Sequence, residues 1–167
     1  DPLTQQSATQ PAPPQQNQQT QQTSPPSSQQ LEPAAVFAPT PFDFAEALKQ
    51  ENVDDLRRIM SAIAPRVLVE ELGSQAALDS LRLLSRNGTL ENASELLAYL
   101  ELNDNDEAHR PHILFYLGSF YEEPANRNYR KALAYYDELQ NKYPYHELAG
   151  PAGVRSRFIR RHFFDIR

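Results

Sequence analysis

Residues 113–144 carry the clearest structural pattern in this chain, and they read ILFYLGSFYEEPANRNYRKALAYYDELQNKYP. Apolar side chains recur at spacings of three and four in both halves of this stretch, as they do on one face of an α-helix. The intervening residues 122–128 contain one Pro and two Asn, and they predict a turn. Pro144 lacks the backbone N–H that a helix needs, so the second helix should end there. The stretch therefore predicts two antiparallel helices, at 111–121 and 129–143.

Helical periodicity also covers the residues before and after this stretch. Upstream, apolar stripes predict helices at 44–48, 53–63, 65–72, 78–84 and 90–100. Gly73 should end the third of these helices, and Asn87-Gly88 should form a turn. Downstream, Pro151 should open a last helix that continues to about Ile166. Because no segment sustains an alternation of apolar and polar residues, we predict an all-α fold without a β-sheet.

The first part of the chain has the composition of a disordered tether. Residues 1–30 contain eleven Gln, six Pro, eight Ser or Thr and a single charged residue, Asp1. Such a segment buries too little apolar surface to offset the entropy that ordering would cost. We therefore predict a disordered tether at 1–41 and one helical domain at 42–167. A first residue other than Met is what a processed end or a piece of a longer protein would give.

Composition also excludes several classes of function. The 167 residues include no Cys, which excludes disulfides, iron–sulfur clusters, thiolate zinc sites and cysteine nucleophiles. The net charge is −6, whereas nucleic-acid binding calls for a basic surface, so we expect no nucleic-acid partner. No apolar run approaches the roughly 20 residues that span a bilayer.

No arrangement of residues indicates catalysis, a metal or a cofactor. Asp106-Glu-Ala-His109 spells a helicase motif, but the chain has no glycine-rich phosphate loop to accompany it. His109 and His112 lie near acidic residues, but Pro111 interrupts the helical face that they would share as metal ligands. Adjacent carboxylates such as Glu122-Glu123 point about 100° apart on a helix, and we expect them to be solvated. We predict a protein that is not an enzyme.

The quoted stretch resembles a tetratricopeptide repeat, a motif of two antiparallel helices in about 34 residues. The positions that carry the resemblance are Leu114, Leu117, Gly118, Tyr121, Tyr129, Ala132, Tyr136, Leu139 and Pro144. The family has small residues, here Gly118 and Ala132, where the paired helices cross closely. The chain departs from the family pattern in its longer turn and in Leu114, which stands where an aromatic residue is usual.

The resemblance extends in weaker form over the rest of the domain. The best repeat is 111–146, a weaker repeat lies at 74–104, a degenerate third lies at 44–63, and 148–166 would be a capping helix. A stable stack usually needs about three repeats. The resemblance implies a short solenoid of stacked helical hairpins, and an unrelated helical bundle is the alternative fold.

The segment 129–144 is also similar to repeats of bacterial envelope proteins, namely outer-membrane assembly lipoproteins and periplasmic cell-division coordinators. This similarity implies a non-enzymatic adaptor in the periplasm or cell envelope that binds a protein partner. In the family, the first helices of the hairpins line a groove that holds a partner peptide or helix. That implies Phe115, Tyr116 and Phe120 as partner-binding residues. For Phe115 and Tyr116, packing against the neighbouring repeat is the alternative. The same helices would add Ser80, Arg82, Ser85, His112 and Ser119 to the groove.

The last predicted helix has an unusual charge. Residues 151–167 contain five Arg and one Asp, so this segment carries +4, which leaves −10 for the other 150 residues. The helix either caps the stack or contacts an anionic partner, through arginine anchors and an apolar plug. The residues for this contact are Arg157, Arg160, Arg161 and Phe163 or Phe164. The second interpretation includes a structural subunit of a larger envelope assembly and contact with a membrane surface.

Overall fold

The computed structural model describes residues 38–88 and 90–164, and these residues form helices and turns without a β-strand. The all-α fold class is therefore confirmed for the described residues, whereas most of the predicted tether lies outside them. In this part of the chain the α-helices are α1 (Pro41–Lys49), α2 (Val53–Met60), α3 (Pro65–Arg86), α4 (Ser94–Asn103), α5 (Arg110–Phe120), α6 (Tyr129–Lys142) and α7 (Ala149–Ile159).

Local hydrogen bonds fix where the first two helices begin. The Thr40 hydroxyl accepts a bond from the Asp43 N–H at 3.3 Å, and the Asp43 carboxylate accepts one from the Thr40 N–H at 2.7 Å. This reciprocal cap satisfies N–H groups that a helix start leaves without partners. Asn52 caps α2 by accepting a bond from the Asp55 N–H at 3.1 Å. Both helices bury an apolar stripe and pack against α3.

The third helix is bent at Gly73, which separates a first arm at 65–72 from a second arm at 74–86. Gly73 has φ +83° and ψ 160°, a backbone conformation that is essentially restricted to glycine. The prediction that a helix ends at Gly73 is confirmed in this form. The predicted turn after the second arm is also present, with Gly88 at φ +65°.

The larger apolar core is formed by α1 to α5. The stripe predicted between 90 and 100 is buried throughout, at Leu90, Ala93, Leu96, Leu97 and Leu100. Its first residues form a 3-10 turn, Leu90–Ala93, and α4 follows directly. Because α5 packs against α3, α4 and α6, it buries side chains on several of its faces.

The helix pair predicted from residues 113–144 is present as α5 and α6, and a missing side chain allows its close packing. A Cβ atom at Gly118 would lie 2.4 Å from Cε1 of Tyr136. Tyr136 is itself completely buried, so its ring fills the space above the glycine. Ala132, the second small residue predicted for the pair, is also completely buried.

The last helix, α7, runs antiparallel to α6 and closes a second, smaller core. Its Ser156 hydroxyl donates a hydrogen bond to the Asp137 carboxylate at 2.9 Å. The helix begins at Ala149 instead of the predicted Pro151, and it continues into a π-helical turn, Arg160–Phe164. None of the helices in the described part of the chain is both long and apolar enough to cross a bilayer.

Candidate functional site

A cleft of about 480 Å³ lies between α3, α5 and α7. Its lining combines apolar side chains with carboxylates and a guanidinium group, and it consists of Ser85, Gly88, Leu90, Phe115, Ser119, Glu122, Glu123, Pro124 and Arg155. Ser85, Phe115 and Ser119, which were predicted to belong to a groove, all line this cleft. Its volume lies within the range of ligand-binding clefts.

The three aromatic residues predicted to bind a partner have different environments. Phe115 is half-buried in the cleft, with its ring centroid 5.9 Å from those of Tyr116 and Tyr136. Tyr116 and Phe120 are buried in the larger core, at 5% and 7% exposure, and burial raises the pKa of Tyr116 to about 12. Because α5 is enclosed by three helices, Tyr116 and Phe120 pack inward. Their assignment to an open groove is therefore corrected, and Phe115 alone of the three lines the cleft.

A buried carboxylate, Glu122, connects three helices at one end of the cleft. Its side chain is only 8% exposed. It accepts a hydrogen bond from the Tyr136 hydroxyl of α6 at 2.6 Å, and two from the Arg155 guanidinium of α7 at 2.9 and 2.6 Å. The prediction that Glu122 is solvated was wrong. Its partners lie 14 and 33 residues further along the chain, so no local sequence signal indicated them.

The neighbouring carboxylate, Glu123, binds a different part of the cleft lining. It accepts a hydrogen bond from the Leu90 N–H at 2.7 Å, which ties the end of α5 to the 3-10 turn before α4. Partial burial raises the pKa of Glu123, and the bond from Leu90 opposes that rise. Two adjacent carboxylates thus have structural partners on opposite sides of the cleft.

A pair of histidines lies at the other end of α5. The rings of His112 and His146 are perpendicular, with their centroids 5.0 Å apart. Burial lowers the pKa of His112, and the proximity of His146 lowers it further. The folded state therefore favours the neutral His112 ring.

This pair predicts a pH dependence of stability. Because the pKa of His112 is lower in the folded state than its ordinary value of about 6.5, its contribution is complete above that value and declines as the pH falls below it. We expect the midpoint of thermal unfolding to fall between pH 8 and pH 5 by less in His112→Gln than in the original chain. His162→Gln, which changes an exposed histidine, is the control and should keep the full pH dependence. Equal pH dependence in the original chain and His112→Gln would contradict the prediction.

The arginines of the last helix differ in their partners. Arg155 and Arg160 are held by Glu122 and Asp137. Arg157 and Arg161 have no acidic partner among residues 38–88 and 90–164. Both belong to a shallow depression of about 560 Å³, which is lined by Arg157, Phe158, Arg160, Arg161 and His162. The predicted plug residue Phe164 lies just beyond and is 44% exposed.

Comparison with known proteins identified no relative. No protein-family model, curated protein or solved structure matches this chain.

Proposed function

We propose that the chain is a non-enzymatic adaptor of the cell envelope that binds a peptide or helix of a partner protein in the cleft between α3, α5 and α7. In this proposal the second arm of α3 with α4, and α5 with α6, are two hairpins of a short tetratricopeptide-like solenoid, which α7 caps. The envelope location rests on the similarity of residues 129–144 to envelope repeats.

The packing order of the helices supports this arrangement. α5 contacts both α3 and α4, and α6 contacts both α5 and α7. In a stack of hairpins, each new first helix packs on both helices of the preceding unit, and α5 does so. The first helices of successive units then share one side of the molecule, which is where the cleft lies.

The single observation that carries the proposal is the half-buried ring of Phe115 in the floor of the cleft. An accessible aromatic ring with a rim of polar groups is the usual composition of a site that anchors one side chain of a partner. The Glu122–Arg155 pair lies beside the ring and offers a charged hydrogen-bonding partner to a peptide. An apolar anchor residue next to a polar group is the ligand chemistry that this lining fits.

The proposal is tested by filling the cleft without touching the core. Peptides are selected from a displayed random library on the purified chain, and their affinities are then measured for Ser85→Trp. Because an indole at the rim occupies the space of the anchor side chain, we expect affinity to fall by about tenfold or more.

The matched control is Ala98→Trp, which places the same side chain on an exposed position of α4 away from the cleft. Its circular dichroism and peptide affinity should equal those of the original chain. The proposal is wrong if no peptide is selected, or if the selected peptides bind Ser85→Trp and Ala98→Trp equally well.

A further inference from the structure

Basic and aromatic side chains lie around the start of α6 and the end of α7. We call this set of side chains the C-terminal patch, and it consists of Arg127, Tyr129, Arg130, Arg157, Phe158, Arg161, Phe163 and Phe164. Ring contacts join its two halves, because Tyr129 stacks on Phe163 with centroids 3.9 Å apart, and Phe163 meets Phe158 at 6.4 Å. We propose that this patch binds the anionic face of a phospholipid bilayer, a function independent of the cleft.

No acidic side chain in the described part of the chain pairs with the arginines of the patch, and all four arginines are exposed. The guanidinium group of Arg127 lies over the ring of Tyr129 at 5.8 Å instead of beside a carboxylate. The net charge of the whole chain is −6, so this positive surface belongs to a protein that is otherwise acidic. Such a charge distribution orients the molecule with this end toward an anionic surface.

The aromatic residues of the patch supply the apolar component. Phe158, Phe163 and Phe164 are 48%, 42% and 44% exposed, which is unusual for three phenylalanines within seven residues. They belong to the same helix end and turn as Arg157 and Arg161. Insertion of phenylalanine rings at the acyl boundary, with arginines on the phosphates, is the pattern of helices that bind at a membrane surface.

A bilayer fits the patch better than an acidic peptide does. The backbone of α7 and of the following turn is bonded within its own helix, so it offers no edge to an extended peptide chain. Arginine forms paired hydrogen bonds with phosphate oxygens, and four arginines spread over two helix ends match a surface of many phosphates. A bilayer therefore satisfies both the rings and the guanidinium groups.

The test measures co-sedimentation of the full chain with vesicles of phosphatidylcholine alone and with vesicles that also contain phosphatidylglycerol. We expect binding only to the second kind, with an affinity that falls as salt is added. Arg157→Gln with Arg161→Gln should weaken this binding about 30-fold, because each arginine near an anionic surface contributes about fivefold. Phe164→Ser should weaken it while leaving the salt dependence unchanged.

The control is Arg66→Gln with Arg86→Gln, which removes the same charge from exposed residues outside the patch and should bind like the original chain. The proposal is overturned if both vesicles are bound equally, if neither is bound, or if the two double variants bind alike. Binding to a polyglutamate peptide without binding to vesicles would assign the patch to an acidic protein and overturn it. Self-association that Arg157→Gln with Arg161→Gln abolishes, again without vesicle binding, would assign it to a second copy and also overturn it.

Discussion

Gly118→Ala is expected to destabilise the domain by about 3 kcal/mol, the upper part of the range for an extra methyl group in a packed core. The new Cβ atom would lie 2.4 Å from Cε1 of Tyr136 and 2.7 Å from two further ring carbons. The ring cannot move aside, because it is completely buried and its hydroxyl is bonded to Glu122. The steric cost exceeds the gain of about 1 kcal/mol that alanine normally brings to a helix. Urea unfolding followed by circular dichroism measures the difference.

Gly150→Ala provides the matched control for this substitution. Gly150 is also helical, but a Cβ atom there would meet nothing within 4 Å. The control should therefore be neutral or slightly stabilising. If Gly118→Ala and Gly150→Ala unfold at the same urea concentration, then α5 and α6 are not held at the spacing described above.

Glu122→Ala is expected to cost about 2 kcal/mol or more, because removal of one member of a buried charge pair leaves the other member without compensation. The substitution removes the acceptor of the Tyr136 hydroxyl and both bonds to the Arg155 guanidinium. Arg155 is half-exposed, so water can solvate its guanidinium group once Glu122 is removed. We therefore expect a smaller loss of stability than for a fully buried pair. The loss of unfolding free energy is again measured in urea.

A surface ion pair serves as the comparison for Glu122→Ala. Glu70 is exposed and pairs with Arg66 one helical turn away, and water screens such a surface pair so that it contributes little to stability. Glu70→Ala should therefore have a small effect. Tyr136→Phe should show an intermediate loss, since it removes only the hydroxyl. Equal effects of Glu122→Ala and Glu70→Ala would mean that Glu122 does not connect the three helices.

Local patterns in the sequence predicted most of the helices. The apolar stripe from Leu90 to Leu100 and the helix pair of α5 and α6 follow from the spacing of apolar residues. A helix that packs on its neighbours along one face buries residues three and four apart. The break at Gly73 was predictable because glycine tolerates a positive φ. These features depend on residues within one or two helical turns of each other.

The candidate site was less predictable, because it depends on contacts between distant segments. α5 is apolar on several faces, so its sequence did not reveal that Tyr116 and Phe120 point into the core while Phe115 borders the cleft. The division of the arginines into paired and unpaired ones follows from the positions of Glu122 and Asp137, which lie on other elements. Periodicity within α7 contains no information about them.

Three half-buried rings, Phe115, Tyr121 and Tyr135, pack against both the larger and the smaller core. These rings connect the two cores, so that unfolding of one core removes packing contacts from the other. A ligand that binds to Phe115 would therefore contact a residue that packs on both cores. A ligand that binds only the folded state stabilises it, so a ligand on Phe115 would stabilise both cores together.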